Sequence, residues 1–281
     1  MQRPLDVWDA GSFDPPLMAL LRDGADLIQS YFETDHRLFL HERRHGGDLR
    51  YKKPSNPHAA AFIAFWERLG DEIGDRTIRA FHYTRLTDGE VKSITRDGIH
   101  LSSPASLRRR LEDRIAEGLL TREHADSLLA ASPFAGDQLE LRTDRFWMIS
   151  HPTIISNSGV APLMAHWGGE VTHFWMEDAE LLARLSVIGK PRVIEVAVPL
   201  GQTRHKRSAA TAVIAAFGRS IGCIPEKGDF DLYVAAALPP DAILAIHTEG
   251  EPTFAEMGQK YPPGFVDVGI GRWKELTGED D

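Results

Sequence analysis

A chain of 281 residues, 42% hydrophobic and 26% charged, has the make-up of a folded protein with room for one large core or two modest ones. Its formal net charge of −9 at pH 7 argues against indiscriminate nucleic-acid binding, which draws on a net basic surface. The single cysteine, Cys223, excludes an intrachain disulfide and a four-thiolate metal site. No apolar stretch approaches the ~20 residues of a membrane helix, and no secretory segment follows Met1-Gln2-Arg3-Pro4, so the expected compartment is the cytoplasm.

Residues 1–77 read as a helical N-terminal region. Leu17, Leu20, Leu21, Ala25, Leu27 and Ile28 follow the three-to-four spacing of an amphipathic helix over 15–31. Asn56 and Pro57 mark the start of another, with Ala61, Phe62, Phe65, Trp66 and Leu69 on one face. At Ile78 the texture changes. Residues 78–84 are rich in β-branched and aromatic side chains and predict a strand. Thr87-Asp88-Gly89-Glu90 predicts a capping box, and Gly98 the left-handed exit of the helix it opens. A short strand is expected at 99–101, then a helical hairpin over 105–117 and 121–131. Further strands are expected at 145–150, 170–175, 192–198, 231–236 and 242–247, and helices at 162–167 and 208–220. Residue 251 opens a Gly- and Pro-rich, acidic tail to the C-terminus.

Two local strings invite chemistry. His41-Glu42-Arg43-Arg44-His45 matches the H-E-x-x-H pattern of zinc peptidases, in which two His one turn apart bind metal. Its context is poor, because Gly46-Gly47 would end the helix at the second ligand and two arginines would repel a cation; a metallohydrolase using His41 and His45 is the lesser alternative. No Walker A string exists, and Gly269-Ile270-Gly271 does not lie between a strand and a helix, so no common nucleotide loop is present. Basic residues crowd two stretches, from His36 to Lys53 and from Arg204 to Arg207. Either could meet phosphates, and a solvated face is the plain alternative.

A distributed constellation points further. Phe81-His82-Tyr83-Thr84 at the end of the first strand, the capped helix, and Asp97-Gly98-Ile99 are followed in order by Arg145-Phe146-Trp147-Met148-Ile149-Ser150, by the helix at 162–167, by Arg192-Val193-Ile194-Glu195-Val196-Ala197-Val198 and by Asp229-Phe230-Asp231-Leu232-Tyr233-Val234. Over residues 78–250 this resembles the ADP-ribosyltransferase-like superfamily, in particular its PARP and DarT branch. The resemblance implies an α+β domain built on a split, mostly antiparallel sheet flanked by helices, using NAD⁺ as co-substrate and no metal. It implies that His82, beside Tyr83 and supported by Thr84, bonds the adenosine ribose. It implies too that Trp147 stacks on nicotinamide, with Ser150 in the same set, and that Asp231 stands where the family has its catalytic Glu. Asp is one methylene shorter, and about 1 Å matters for catalysis. His166-Trp167-Gly168-Gly169-Glu170 therefore offers a second carboxylate, Glu170, with His166 or Trp167 over the nicotinamide; a helix end followed by an exposed strand is the plain reading of the same residues. The implied activity is mono-ADP-ribosyl transfer to a macromolecular acceptor, nucleic acid or protein. An intracellular toxin or defence effector with a neutralising or regulatory partner protein would fit. A catalytically silent NAD⁺-binding module of the same fold is the main alternative.

Overall fold

The computed structural model describes residues 3–45, 55–225, 229–259, 261, 274 and 277–279. Arg50, Lys52 and Lys53 of the first basic stretch, Gly46-Gly47 and Gly269-Ile270-Gly271 lie outside the described residues, as does the side chain of His45. Helices α1 (Pro15–Asp23), α2 (Ala25–His45) and α3 (Ala59–Glu72) precede strand β1 (Thr77–Leu86). Helices α4 (Asp88–Asp97), α5 (Pro104–Ala116), α6 (Arg122–Ala130) and α7 (Leu139–Arg142) lead to β2 (Phe146–Ile149). Next come α8 (Ala161–Ala165), α9 (Glu170–His173), α10 (Ala179–Val187) and β3 (Lys190–Pro199). Helix α11 (Lys206–Ser220), β4 (Asp231–Val234), β5 (Ile243–Thr248) and α12 (Pro252–Ala255) complete the order. No helix among the described residues is long and apolar enough to cross a membrane.

The chain divides into two compact units. The first gathers Met1–Ile78, Pro199–Phe230 and Lys260–Asp281. Its centre is α11, whose residues 209–218 are buried except for Thr211. Helix α3 packs against it, and the Trp66 indole N–H lies 3.0 Å from both the Arg207 carbonyl and Thr211 Oγ1. Helix α2 joins through a stacked Tyr31–Phe62 pair, 3.7 Å between centroids. The single helix expected over 15–31 is broken at Gly24. A Cβ there would lie 2.5 Å from Phe65 Cε2, so the Phe65 ring takes the space a side chain would need.

The second unit comprises Arg79–Val198 and Asp231–Gln259. It is α+β, with helices around a five-stranded sheet in the order β4-β2-β1-β3-β5. β1 with β2, β2 with β4 and β3 with β5 run antiparallel. Glu195 ties three strands together. Its carboxylate pairs with Arg79 of β1 at 2.6 and 3.0 Å and lies 3.5 Å from His247 Nε2 of β5. Burial pushes the Glu195 carboxyl up, but His247 and Arg79 outweigh burial and hold its pKa at about 2. One core cluster on the sheet joins Phe81, Tyr83, Val160, Met164, Val193 and Phe254. A second joins α5, α6 and α10 around Trp167, through Leu107, Leu111, Leu128 and Leu185.

The capping box forms as expected: Thr87 Oγ1 accepts from the Glu90 N–H and the Glu90 carboxylate from the Thr87 N–H. Gly98 leaves α4 at φ 85°, with the Leu238 carbonyl where a Cβ would stand. Two expected strands are absent. Residues 99–102 make only isolated bridges, Ile99 to Leu238 and Ser102 to Arg145. Residues 170–173 are the helix α9, because Gly168 and Gly169 turn the chain at φ 90° and 66° and place Glu170 in a helical first turn. Helix α10, capped by Asp178 accepting from Glu180 and Leu181, fills a stretch to which no element had been ascribed.

Candidate functional site

The residues with chemical promise lie where β1 and β2 part. The two strands share one registered pair, Phe81 with Ile149. At the next residue a side chain stands in for the ladder: His82 Nδ1 lies 2.8 Å from the Trp147 carbonyl oxygen, and its ring packs on Phe146 at 4.4 Å. A carbonyl only accepts, so Nδ1 carries the proton and donates. Burial pushes the His82 pKa down to about 4; the bond to Trp147 works against the fall, Arg110 adds to it and Glu170 opposes it. The imidazole is therefore neutral near pH 7, and Nε2 is left as an acceptor suited to a hydroxyl.

The neighbours of His82 on β1 do structural work. The Tyr83 phenol donates to the Thr153 carbonyl and accepts from its N–H, both at 2.7 Å. Burial pushes that phenol up, so it keeps its proton and pins the chain beyond β2. Thr84 and Ser150 are buried, at 5% and 1% exposure. Tyr83 is buried too, at 2% exposure, so all three flank His82 from within the fold.

On the far side of β2, Trp147 pairs with Tyr233, their rings 4.7 Å apart, and the Arg145 guanidinium lies 4.7 Å from the Tyr233 ring centre. Asp231 opens β4 opposite Ile149. Paired and alternate residues share a face, so Trp147, Tyr233 and Asp231 line one face of the β2–β4 ribbon. Two inter-strand spacings, roughly 10 Å, separate the Asp231 backbone from Phe81. Asp231 is exposed, and Trp147 is 37% exposed with room for a stacking partner.

The residues at 166–170 divide between core and site. Trp167, expected over a nicotinamide ring, is fully buried. Its Nε1–H donates to Glu90 at 2.8 Å, and the guanidinium carbons of Arg110 and Arg114 lie 4.9 and 5.6 Å from its ring centre, so this tryptophan belongs to the core. His166 is held through Nδ1, 3.1 Å from the Leu182 carbonyl, and packs on His173 at 4.9 Å. Burial and His166 both push the His173 pKa down. Glu170, after the two left-handed glycines, is half-buried and ion-paired with Arg142. Its charge reaches both His82 and His173.

Glu170 thus acts on His82 through its charge, the Trp147 carbonyl bonds the His82 ring, and Asp231 stands on the ribbon beyond. Sequence reasoning missed the partners that set the charge here. Neither Arg142 nor Arg110 was among the candidate site residues. His41 occupies the last turns of α2, and among the described residues no group of three or more His, Cys, Asp or Glu could hold a metal ion. No protein-family model, no curated protein and no solved structure matches the chain.

Proposed function

We propose that the second unit binds NAD⁺ where β1 and β2 diverge and transfers its ADP-ribose to a macromolecular acceptor. The observation that carries this reading is His82: a neutral imidazole, fixed through Nδ1 by the Trp147 carbonyl, keeps Nε2 for a ribose hydroxyl. In the reaction the nicotinamide–ribose C–N bond breaks and its electron pair leaves with neutral nicotinamide. The ribose gains positive charge, the acceptor's nucleophile forms the new bond to it, and the nucleophile's proton passes to a carboxylate. Glu170, whose charge reaches His82, is the carboxylate assigned to that task, with Asp231 as its rival. Trp147, whose indole shares a face with Ile149 and so with Phe81 rather than with His82, meets this site only through its carbonyl. Action as a cytoplasmic toxin or defence effector, restrained by a partner protein, rests on the family resemblance alone.

One observation favours a second reading, a module that binds NAD⁺ without turning it over: the Glu170 carboxylate is already engaged by Arg142. Nicotinamide release from NAD⁺, with cell lysate as acceptor source, separates the two. Turnover by the wild type that falls about 10²-fold or more in Glu170→Gln, with Asp231→Asn within several-fold of wild type, is the expected result. Loss confined to Asp231→Asn would move the role to that residue. Thermal stabilisation by NAD⁺ with no release by the wild type would leave the binding module, and neither effect would sink both.

A further inference from the structure

Two arginines of α5 lie over the Trp167 indole, and they are spent very differently. Arg114, 3% exposed, commits both terminal nitrogens: Nη1 donates to Thr87 Oγ1 at 2.9 Å and lies 3.1 Å from Glu90, and Nη2 donates to Glu117 at 2.7 Å. Arg110 commits only Nε, which donates to Glu90 at 2.8 Å. Neither of its terminal nitrogens has a hydrogen-bond partner among the described residues, although Nη2 is withdrawn from solvent and the side chain as a whole is 27% exposed. A guanidinium carries five N–H donors in a rigid plane, and its charged terminal N–H groups donate strongly to phosphate oxygens. Glu90 on one edge and the Trp167 ring on one face fix that plane in advance, so little freedom remains to be lost on binding. The charge of the same cation helps to lower the His82 pKa. Trp167 stands three residues before Glu170, and the intervening Gly168 N–H lies 3.5 Å from the Arg85 carbonyl of β1, so the turn carrying Glu170 is stitched to the strand carrying His82.

We infer that Arg110 is a binding residue that donates to a phosphate oxygen of the nucleotide through its uncommitted terminal nitrogen Nη1. This assignment rests on the NAD⁺ reading of the same site. It divides the labour there: His82 meets a ribose hydroxyl, Arg110 the anionic phosphates, and Glu170 the reacting ribose.

Calorimetric titration of the full chain with NAD⁺, ADP and adenosine tests it. Arg110→Gln is expected to weaken ADP and NAD⁺ about tenfold or more and to leave adenosine affinity within twofold, because adenosine carries no phosphate. Arg110→Lys keeps a cation beside Trp167 without the planar fork and should fall between; it decides the matter if the Gln variant does not fold. NAD⁺ binding by the wild type together with unchanged ADP affinity in a folded Arg110 variant would overturn the Arg110 assignment alone. Wild type that binds none of the three nucleotides would overturn this assignment together with the NAD⁺ reading.

Discussion

Removing the Glu90 carboxylate should be among the most damaging single changes in the second unit. Glu90 is engaged by the Thr87 N–H at 2.9 Å, Trp167 Nε1 at 2.8 Å, Arg110 Nε at 2.8 Å and Arg114 Nη1 at 3.1 Å. Glu90→Ala leaves the 3%-exposed Arg114 with only the more exposed Glu117 as counter-charge; breaking a buried pair costs about 3–5 kcal/mol, and the surviving Glu117 contact puts this loss at the low end. It also removes half of a capping box and strands the Trp167 N–H, at ~1 kcal/mol or more each. These losses share partners and do not add, so a total of about 3–5 kcal/mol is expected, a large share of the ~5–15 kcal/mol of a whole domain. Burial raises the Glu90 pKa, but Arg110, the Thr87 N–H, Trp167 and Arg114 outweigh it and hold it below the ordinary value. Its contribution is therefore complete above the usual glutamate range and fades as pH falls through the lowered value. Urea unfolding at pH 7, followed by far-ultraviolet circular dichroism, measures the loss; Glu90→Gln should fall between, and the exposed Glu112→Ala on α5 should change stability by under ~0.5 kcal/mol. A Glu90→Ala loss below about 1 kcal/mol, with unchanged denaturant slope, would refute the view that this carboxylate holds the cluster together.

The state of His82 predicts a pH signature. Its folded pKa of about 4 lies below the ordinary 6.5, so between those values the unfolded chain takes up a proton that the folded chain refuses, and stability falls by up to about 3 kcal/mol as pH drops through the window. His82→Gln should flatten that fall, and stability curves that run parallel from pH 6.5 to 4 for the two proteins would contradict it. The paired glycines should differ in sensitivity. Gly169→Ala has free space and costs the ~1–3 kcal/mol of its unfavourable backbone, whereas a Cβ at Gly168 would lie 2.0 Å from Thr172 Oγ1, adding roughly 1–3 kcal/mol of overpacking; equal melting temperatures for the two variants would refute the distinction.

What the sequence made legible was local. Thr87, Glu90 and Gly98 announce α4 because a cap, its reciprocal carboxylate and a left-handed exit all lie within twelve residues and depend on backbone chemistry alone. Where a distant group decides, the reading failed. Phe65 leaves no room for a side chain at position 24, and the Trp167 N–H finds its partner in Glu90, 77 residues away. An aromatic before two glycines suggested a ligand platform; its indole N–H instead satisfies a buried carboxylate. Residues 170–175 looked like a strand because Val171, Phe174 and Trp175 favour one, yet two positive-φ glycines set the local geometry ahead of propensity.

The same distinction separates the two carboxylates. The chain order that singled out Asp231 says which strand opens with an acid, but strand pairing puts that acid on the ribbon face shared with Trp147 and Tyr233, opposite Ile149 and exposed. Glu170 owes its place to tertiary links: the glycine turn, the Arg142 pair and the bond from Gly168 to β1. A carboxylate that must face a developing cation gains most where water is scarce and its position is fixed before the reaction begins. Half-buried and held by a guanidinium, Glu170 meets the second condition better than an exposed strand end does. The Arg142 pair, however, also lowers its effective charge, so on the proposed reading a bound nucleotide would have to draw Arg142 away or share it. Arg142→Gln should therefore raise nicotinamide release if the pair is a brake and lower it if the pair is a brace, a choice that the kcat of that one variant decides.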